Sequence, residues 1–406
     1  MPYPASRRAE FDWLRVVALG MLIVFHSAIG FGSWPWHVTD PHHSLLLDGF
    51  LDFLLRWRVS LVFIVSGAAV MLALGRRSPS AILRERLIRL AVPLLFGVLV
   101  IVPPQIYLER VQRGQFHGSF LDFLPQAFNG FYPDGNLSWN HLWFIPYVLV
   151  LTALALPLFH WARSPAARRR LDRLMRAMAD RHLYWLLLVP LVLADIVLRG
   201  QSNDDHSFLG DLHGWMEFAT LFVLGGILAE WPRVLAAVQR ERYAALAAAV
   251  AAYGTLMMEW PSIGENPAAL PAAESIAWAC ASAINQLAWV LAFVGFLTRH
   301  LNRGSPLLAY ATEAALPVYI LHQSLIVFAV YHLHHVNWPL GTKIFLTLSF
   351  TLAGSAALYE IVIRRSTWLR LLFGVKPRAR AIGPEVLVPD GRPSPGVTNR
   401  SRVPFS

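Results

Sequence analysis

The chain has 406 residues, of which 56% are hydrophobic and 15% charged, with a mean hydropathy of +0.47 and a formal charge of +10. Its apolar residues come in long runs instead of alternating with polar ones, which is typical of an integral membrane protein and leaves no length for a sizeable soluble domain. The basic charge does not indicate a nucleic-acid partner, because the basic residues collect between the apolar runs.

Ten apolar stretches are long enough to predict transmembrane helices, since a bilayer core of about 30 Å takes roughly 20 helical residues. In chain order they lie at 12–31, 53–74, 90–107, 142–161, 183–198, 215–229, 243–259, 276–298, 314–333 and 343–363. The sequence therefore predicts an all-α fold, a polytopic membrane bundle of about ten helices. We expect a membrane-embedded domain over residues 1–375 and a disordered tail over the Pro-, Gly-, Arg- and Ser-rich residues 376–406.

The arginines fall mainly on one side of these predicted helices. With the N-terminus in the cytoplasm, the inside segments contain seven arginines between Arg163 and Arg181 and further groups at 7–8, 76–89, 233–242, 299–303 and 364–380. The outside segments contain Arg56, Arg58, Arg110, Arg113, Arg199 and Lys343. By the positive-inside rule, both termini are predicted to be cytoplasmic, with an even number of spans.

Three ionisable side chains share one face of the first predicted helix. In the segment RVVALGMLIVFH, Arg15 and His26 are 11 residues apart, which is about 1100° of rotation, or three turns plus roughly 20°, and a rise of about 16 Å. Arg15 then lies at the cytoplasmic boundary and His26 near the middle of the membrane. Asp12, three residues before Arg15, lies on the same side and can pair with it.

Each of these residues also has a purely structural interpretation. Arg15 alone is typical of a snorkelling anchor, and a lone histidine in a bundle often makes only a hydrogen bond between helices. Their alignment instead favours a ligand with an anionic group at the inner boundary and a reactive group at the bilayer centre. In that case a neutral His26 is a candidate general base.

Further candidates stand near the ends of other predicted helices. Arg86 and Arg89, at i and i+3, share a face at the cytoplasmic start of the third helix, where topology alone also accounts for basic residues. Arg58 stands just before the apolar run of the second helix and His141 just before that of the fourth, both on the outer side, where they either line a site or face water. His322 in the ninth helix is a further candidate beside a structural role. No set of Cys, His and carboxylate ligands occurs at metal-binding spacing, so no metal site is predicted.

Several segments resemble those of the membrane-bound acyltransferase-3 family. FDWLRVVALGMLIVFHSAIGF is similar to the family's first helix, whose signature is an arginine, ten residues and a histidine. The other matching segments are RVSLVFIVSGAAVML, RERLIRLAVPLLFGVLVIVPPQIYLE with its Arg-x-x-Arg pair at Arg86 and Arg89, HLWFIPYVL, LPVYILHQSLIV and LRLLFGVK. The resemblance spans residues 7 to 376, and VPPQIYLE and LRLLFGVK favour the branch that acylates, by succinylation, periplasmic glucans.

The resemblance implies a multi-pass O-acyltransferase of the inner membrane. It would move an acyl group, acetyl or succinyl, from cytoplasmic acyl-coenzyme A to a hydroxyl of an extracytoplasmic glycan or other envelope acceptor. Acyl-coenzyme A is then a co-substrate, and no cofactor is bound permanently. Arg15, Arg86 and Arg89 would hold the coenzyme A phosphates, since guanidinium groups match phosphate geometry, and Asp12 would orient Arg15. His26 would take a proton from the acceptor hydroxyl or first accept the acyl group itself, and the sequence does not choose between these routes.

On this interpretation Arg58, His141 and His322 are candidates for the acceptor side. The rival function is a polysaccharide exporter or flippase of the inner membrane. Transporter folds usually show repeated halves and interrupted helices around a site, but the sequence shows no repeat, and no proline lies between Arg15 and His26. Acyl transfer is therefore favoured, while the acyl group, the acceptor and the oligomeric state stay open.

Overall fold

A computed structural model describes residues 8–198, 208–263 and 271–376, with the side chains of 259–263 left out. Within these ranges the chain is helical and contains no strand, apart from one isolated bridge between Phe131 and Leu137. This confirms the all-α class. The predicted tail over 376–406 lies outside the described residues, except for Lys376.

Fifteen helices, numbered here in chain order, build the described part of the protein. The first eight are α1 (Ala9–Ile29), α2 (Leu45–Leu55), α3 (Arg58–Leu74), α4 (Pro79–Gln112), α5 (Phe120–Phe123), α6 (Phe144–Ala162), α7 (Pro165–Asp180) and α8 (Leu188–Val197). The others are α9 (Leu212–Glu230), α10 (Pro232–Arg240), α11 (Arg242–Ile263), α12 (Ala272–His300), α13 (Pro306–Leu333), α14 (Leu340–Ala357) and α15 (Thr367–Leu372). Short 3-10 turns at Leu124–Gln126, Asn140–Trp143 and Leu183–Leu187 and π-helical turns at Leu87–Ala91, Gly97–Ile101 and Leu358–Ile363 adjoin or interrupt them.

Eight helical segments of the described chain are long and apolar enough to cross a membrane. A ninth is possible if α7 and the stretch Leu183–Val197, which meet at a bend of 100°, count as one span. The predicted span at 183–198 therefore does not stand as a separate straight helix. The predicted span at 243–259 lies in α11, which is not one of the eight.

The buried fraction of each span shows whether it lies inside the bundle or at its surface. α13 is the most enclosed, with 67% of its apolar window buried, whereas α4 has 22% of its window buried. Leu95, Leu99 and Val100 of α4 are exposed, as expected for side chains that face lipid. The largest cluster of buried apolar side chains lies among α1, α3, α6, α9 and α12, and α13 contributes to two smaller clusters.

Helix α1 lies inside this core and positions the site. It packs against α3, α12, α13 and α14, and its inward face buries Phe11, Leu14, Ala18 and Phe25. Glycines let the backbones of α3 and α9 approach each other closely. A Cβ built on Gly67 would lie 1.8 Å from the Phe222 carbonyl oxygen, and one built on Gly225 would lie 2.0 Å from the Ile64 carbonyl oxygen, so neither position has room for a side chain. Such backbone contact is the usual way in which membrane helices pack tightly, and here it joins α3 to α9.

Candidate active site

A cavity of about 1180 Å³ opens between α1, α3, α4, α6 and α13. Seven of the residues singled out in the sequence line it: Asp12, Arg15, His26, Arg58, Arg86, Arg89 and His141. One end of the cavity is strongly basic, since Arg76, Arg77, Arg364, Arg365, Arg370 and Lys376 join the predicted arginines there. The other end is lined mainly by apolar side chains around His26.

The predicted pairing of Asp12 with Arg15 is present at the basic end. Arg15 Nη1 lies 3.7 Å from Asp12 Oδ1, and both residues belong to the first turns of α1. The Asp12 side chain is buried, whereas about a third of Arg15 is exposed. Asp12 thus pairs with one terminal nitrogen of a guanidinium group that lines the cavity.

Arg86 and Arg89 lie at the first π-helical turn of α4. The turn at Leu87–Ala91 starts directly after Arg86, and Pro93, which lacks the N–H that would bond to the Arg89 carbonyl, follows it. π turns of this kind widen a helix and occur often at functional sites. Both arginines face the same cavity, as their spacing predicts.

The chain segment after α15 holds Arg89 in place. Arg89 Nε donates to the Gly374 carbonyl oxygen at 2.9 Å, and Arg89 Nη1 donates to Glu85 at 3.3 Å. Gly374 has a φ of +66°, and a Cβ there would lie 2.5 Å from the Arg89 carbonyl oxygen, so only glycine fits. The segment LRLLFGVK, which is distant from Arg89 in the sequence, therefore helps to orient Arg89 at the basic end of the cavity.

His26 forms a hydrogen bond with His322 of α13. His26 Nδ1 lies 2.9 Å from His322 Nε2, and His322 Nδ1 lies 2.6 Å from the Tyr319 carbonyl oxygen. A carbonyl oxygen only accepts, so His322 Nδ1 carries a hydrogen and the neutral His322 Nε2 is an acceptor. His26 Nδ1 must then donate, which leaves the lone pair of neutral His26 on Nε2.

A third histidine joins this pair. His141 follows Asn140, whose φ of +42° is a left-handed conformation that asparagine tolerates, and this turn precedes α6. The His141 ring meets the His322 ring edge to face at 5.0 Å, and its Nε2 donates to the Ile320 carbonyl oxygen at 3.1 Å. His322 is fully buried and does not line the cavity, so it lies behind His26 rather than at an outer mouth.

Arg58 lines the same cavity as His26. It is 6% exposed, so it does not face water as one interpretation of the sequence has it. Its guanidinium carbon stands 3.4 Å above the centre of the Phe25 ring, one residue before His26. Among the described residues, no hydrogen-bond partner reaches Arg58 Nε or Nη1.

Comparison with known proteins identifies the family. A family model described as an acyltransferase domain, type 3, matches residues 8–360. The chain belongs to the acyltransferase-3 family. This acyltransferase-3 protein is also 26% identical, over 394 residues, to the glucans biosynthesis protein C of Escherichia coli O6:K15:H31, covering 93% of this chain and 96% of the relative. The same identity and coverage hold for the protein of that name from Escherichia coli K12. No solved structure matches the chain.

The acyltransferase-3 protein has a second polar cluster that the sequence analysis did not identify. His37 Nδ1 lies 2.5 Å from Glu109 Oε2, and its Nε2 lies 3.0 Å from the side-chain nitrogen of Gln323. Glu109 is fully buried and also accepts from Arg113 at 2.9 Å. Two of these residues stand beside or within segments that the sequence analysis used, since Gln323 follows His322 and Glu109 ends VPPQIYLE. Their partner His37 lies in the α1–α2 loop, outside any such segment.

Tyr132 closes this second cluster from the loop between α5 and α6. Its hydroxyl donates to Glu109 Oε1 at 3.2 Å. Burial, and then the neighbouring Glu109 carboxylate, raise the pKa of Tyr132, so the phenol stays protonated and remains a donor. In the residues that the structure describes, no group of three or more His, Cys, Asp or Glu side chains is arranged to hold a metal ion.

Proposed function

We propose that this acyltransferase-3 protein is an inner-membrane O-acyltransferase that moves an acetyl or succinyl group from cytoplasmic acyl-coenzyme A to a hydroxyl of an extracytoplasmic glycan. The observation that carries the proposal is one cavity with a basic end at Arg15, Arg86 and Arg89 and with His26 at depth. A polyanionic donor with a long thioester arm matches this distribution of charge. No permanently bound cofactor is required, because the donor itself supplies the activated acyl group.

The basic end suits the phosphates of coenzyme A. Arginine presents several N–H donors in a rigid plane and binds phosphate oxygens in pairs, which lysine cannot do. Arg15 is held by Asp12, and Arg89 is held by Glu85 and the Gly374 carbonyl, so each guanidinium group is oriented before the donor arrives. The arm of the donor would then follow α1 for about 16 Å, the rise from Arg15 to His26.

His26 is the proposed general base, and its hydrogen bond to His322 decides which of its nitrogens can accept a proton. With Nδ1–H engaged by His322, the lone pair of His26 on Nε2 is available to take the proton of an acceptor hydroxyl as that oxygen attacks the thioester. The same nitrogen would be the nucleophile if the acyl group passed first to histidine. Both routes use the tautomer that His322 selects.

The names of the relatives suggest the acceptor class. Glucans biosynthesis protein C is matched along nearly its whole length, so we take a glucan as the acceptor to test first. With the N-terminus in the cytoplasm, His141 and the cluster of His37, Glu109 and Tyr132 would lie towards the outer side of the bundle, where such an acceptor would approach.

The test is transfer of label in isolated membranes. Membranes that contain the wild-type protein or His26→Ala are incubated with glucan and with acetyl- or succinyl-coenzyme A labelled in the acyl group, and the glucan is recovered. We expect wild-type membranes to label the glucan with one of the donors and His26→Ala to lose this activity at equal protein level. His160→Ala, an exposed histidine at the end of α6, is the matched control and should transfer normally.

Two results would contradict the proposal. Unlabelled glucan with both donors in the presence of wild-type protein would exclude acyl-coenzyme A-dependent transfer. Normal labelling by His26→Ala would exclude His26 as base or nucleophile. Loss of the polymer from the cell surface, rather than loss of its acyl ester, would instead favour an exporter.

A further inference from the structure

Arg58 is a buried cation that the protein itself leaves largely unsatisfied. Nε and Nη1 have no hydrogen-bond partner in the described ranges, and the guanidinium group rests on the face of Phe25. A cation–π contact of this kind replaces only a small part of the hydration lost on burial. An ionisable group kept inside a membrane without a protein partner is expected to meet a partner in the ligand.

The position of Arg58 excludes the donor phosphates as that partner. Arg58 begins α3 and contacts Phe25 near the end of α1, so the two helices run in opposite directions there. The 17 residues of α3 rise about 26 Å before the chain reaches Arg76 and Arg77 at the basic end. Arg58 therefore lies at the level of His26, where the reacting atoms would meet.

We propose that Arg58 is a catalytic residue that binds the thioester carbonyl oxygen and stabilises the negative charge that forms on it. This inference rests on the proposed function. An acyl transfer with a base but no donor for the developing oxyanion would be slow, because a preorganised donor in a dry site is usually the largest single contribution to such reactions. Among the described cations that line the cavity, Arg58 is the one that contacts the residue next to His26.

The step balances with the groups at hand. The acceptor oxygen attacks the thioester carbon as His26 Nε2 takes the hydroxyl proton, and the C=O electron pair moves onto the oxygen beside Arg58. The tetrahedral intermediate collapses, the carbonyl reforms, and the C–S bond breaks. The coenzyme A thiolate leaves and recovers the proton from His26, so the products are the ester and free coenzyme A. Arg58 keeps its charge throughout.

The experiment compares Arg58→Gln and Arg58→Lys with the matched control Arg56→Gln. Arg56 lies two residues away but pairs with Asp52 at 2.8 Å and does not line the cavity. Each variant is assayed with acetyl- and succinyl-coenzyme A, for transfer to glucan and for hydrolysis of the donor without acceptor. We expect Arg58→Gln to lower kcat by about 100- to 1,000-fold, as removal of an oxyanion donor does, with little change in the donor KM.

The pattern across the assays identifies the role. Loss of the carbonyl contact should lower transfer and hydrolysis by the same factor with either donor, Arg58→Lys should recover part of kcat, and Arg56→Gln should match the wild type. A loss confined to succinyl-coenzyme A would overturn the proposal and make Arg58 a site for the acyl carboxylate. A loss of transfer with intact hydrolysis would overturn it in favour of acceptor binding.

A folding control keeps the result interpretable. Removing an unpaired buried cation should not destabilise the protein, so Arg58→Met should melt in detergent at or above the wild-type temperature. A lower melting temperature of Arg58→Met together with unchanged kcat of the folded fraction would overturn the catalytic role. An active wild type beside an equally active Arg58→Gln refutes this inference alone, whereas an inactive wild type refutes the proposed function as well.

Discussion

His322 accepts a hydrogen bond from His26 across 2.9 Å while its own Nδ1 donates to the Tyr319 carbonyl, and this chain of two bonds fixes which nitrogen of His26 carries a lone pair. The planes of the two imidazole rings are nearly parallel, with an angle of 18° between them. His322 touches neither donor nor acceptor on this arrangement, because it does not line the cavity. Its role is to position His26 and to select the tautomer.

Replacing His322 by phenylalanine tests this role. Without an acceptor for Nδ1–H, His26 loses its fixed tautomer, and kcat should fall by about 100-fold or more, with the donor KM little changed. His322→Gln should recover part of kcat, because its side-chain oxygen can accept from His26. His332→Phe, an exposed histidine on the same helix, is the control. Full activity of His322→Phe, or a loss that lies only in KM, would contradict the positioning role.

Substitution of Arg15 should change a different kinetic constant from substitution of the histidines. On the proposed function, Arg15→Ala removes a hydrogen-bond donor to the coenzyme A phosphates, so the KM for acyl-coenzyme A should rise by about 10- to 100-fold while kcat changes little. Arg15→Lys should recover only part of the loss, since an ammonium group lacks the paired donors. Arg299→Ala, at the exposed end of α12 and outside the cavity, is the matched control. A drop in kcat at unchanged KM would place Arg15 in the chemistry instead of in donor binding.

The relation of Arg15 to His26 was predictable because it lies within one helix. The period of an α-helix fixes which residues share a face, so positions 15 and 26 are placed by counting alone, and both line the cavity. The contact of His26 with His322 joins residues 296 positions apart. It depends on how α1 packs against α13, which no local pattern specifies.

The differences between the predicted and the observed bounds of the spans have the same origin. Apolar composition predicts which stretches suit a bilayer, but it does not show where a helix bends. Residues 45–74 form one span from α2 and α3, longer than the predicted 53–74, and Leu183–Val197 meets α7 at 100° instead of forming a straight span. The sequence analysis missed the pair of His37 and Glu109 for a related reason. His37 lies in a loop, and no local pattern shows which helix end that loop contacts.

The orientation of the bundle can be checked with reporters. A reporter fused after Arg181, at the end of the arginine-rich helix α7, should be cytoplasmic, because this region carries the largest group of basic residues. A second reporter between α8 and α9 should be extracytoplasmic if Leu183–Val197 crosses the membrane. A cytoplasmic signal from the second reporter would limit the protein to the eight spans. An extracytoplasmic signal from the first would reverse the orientation and contradict the assignment of Arg15 to the donor side.

The region around the C-terminal end of α13 should lose stability at low pH through His334. Burial, and then the neighbouring His335, lower the pKa of His334, while the Tyr331 carbonyl and Asp40 oppose this shift. The unfolded chain therefore takes up the proton first, and the free energy of unfolding should fall as the pH drops through the usual histidine value of about 6.5. His334→Gln should melt with a weaker pH dependence between about pH 7.5 and 5.5. An identical pH dependence of the variant would exclude His334 as the source.

Lys343 and Asp40 form a buried ion pair that ties the α1–α2 loop to α14. The Lys343 side chain is 1% exposed, that of Asp40 is fully buried, and Lys343 Nζ donates to Asp40 Oδ2. Breaking such a pair leaves the buried Asp40 carboxylate without its lysine counter-ion, so Lys343→Met alone should lower the free energy of unfolding by about 3–5 kcal/mol. The double variant Asp40→Leu with Lys343→Met removes both charges and should recover much of that loss, because two apolar side chains need no partner.

Thermal melting of the wild type, both single variants and the double variant in one detergent gives the coupling between Asp40 and Lys343 as a double-mutant cycle. Since His37 belongs to the same loop, the single variants should also weaken the contact of His37 with Glu109 and lower glucan acylation, while His26 keeps its bond to His322. Additive effects of the two single substitutions would contradict a direct pair. Acylation that stays at the wild-type level in a clearly destabilised Lys343→Met would show that the loop does not support the acceptor side.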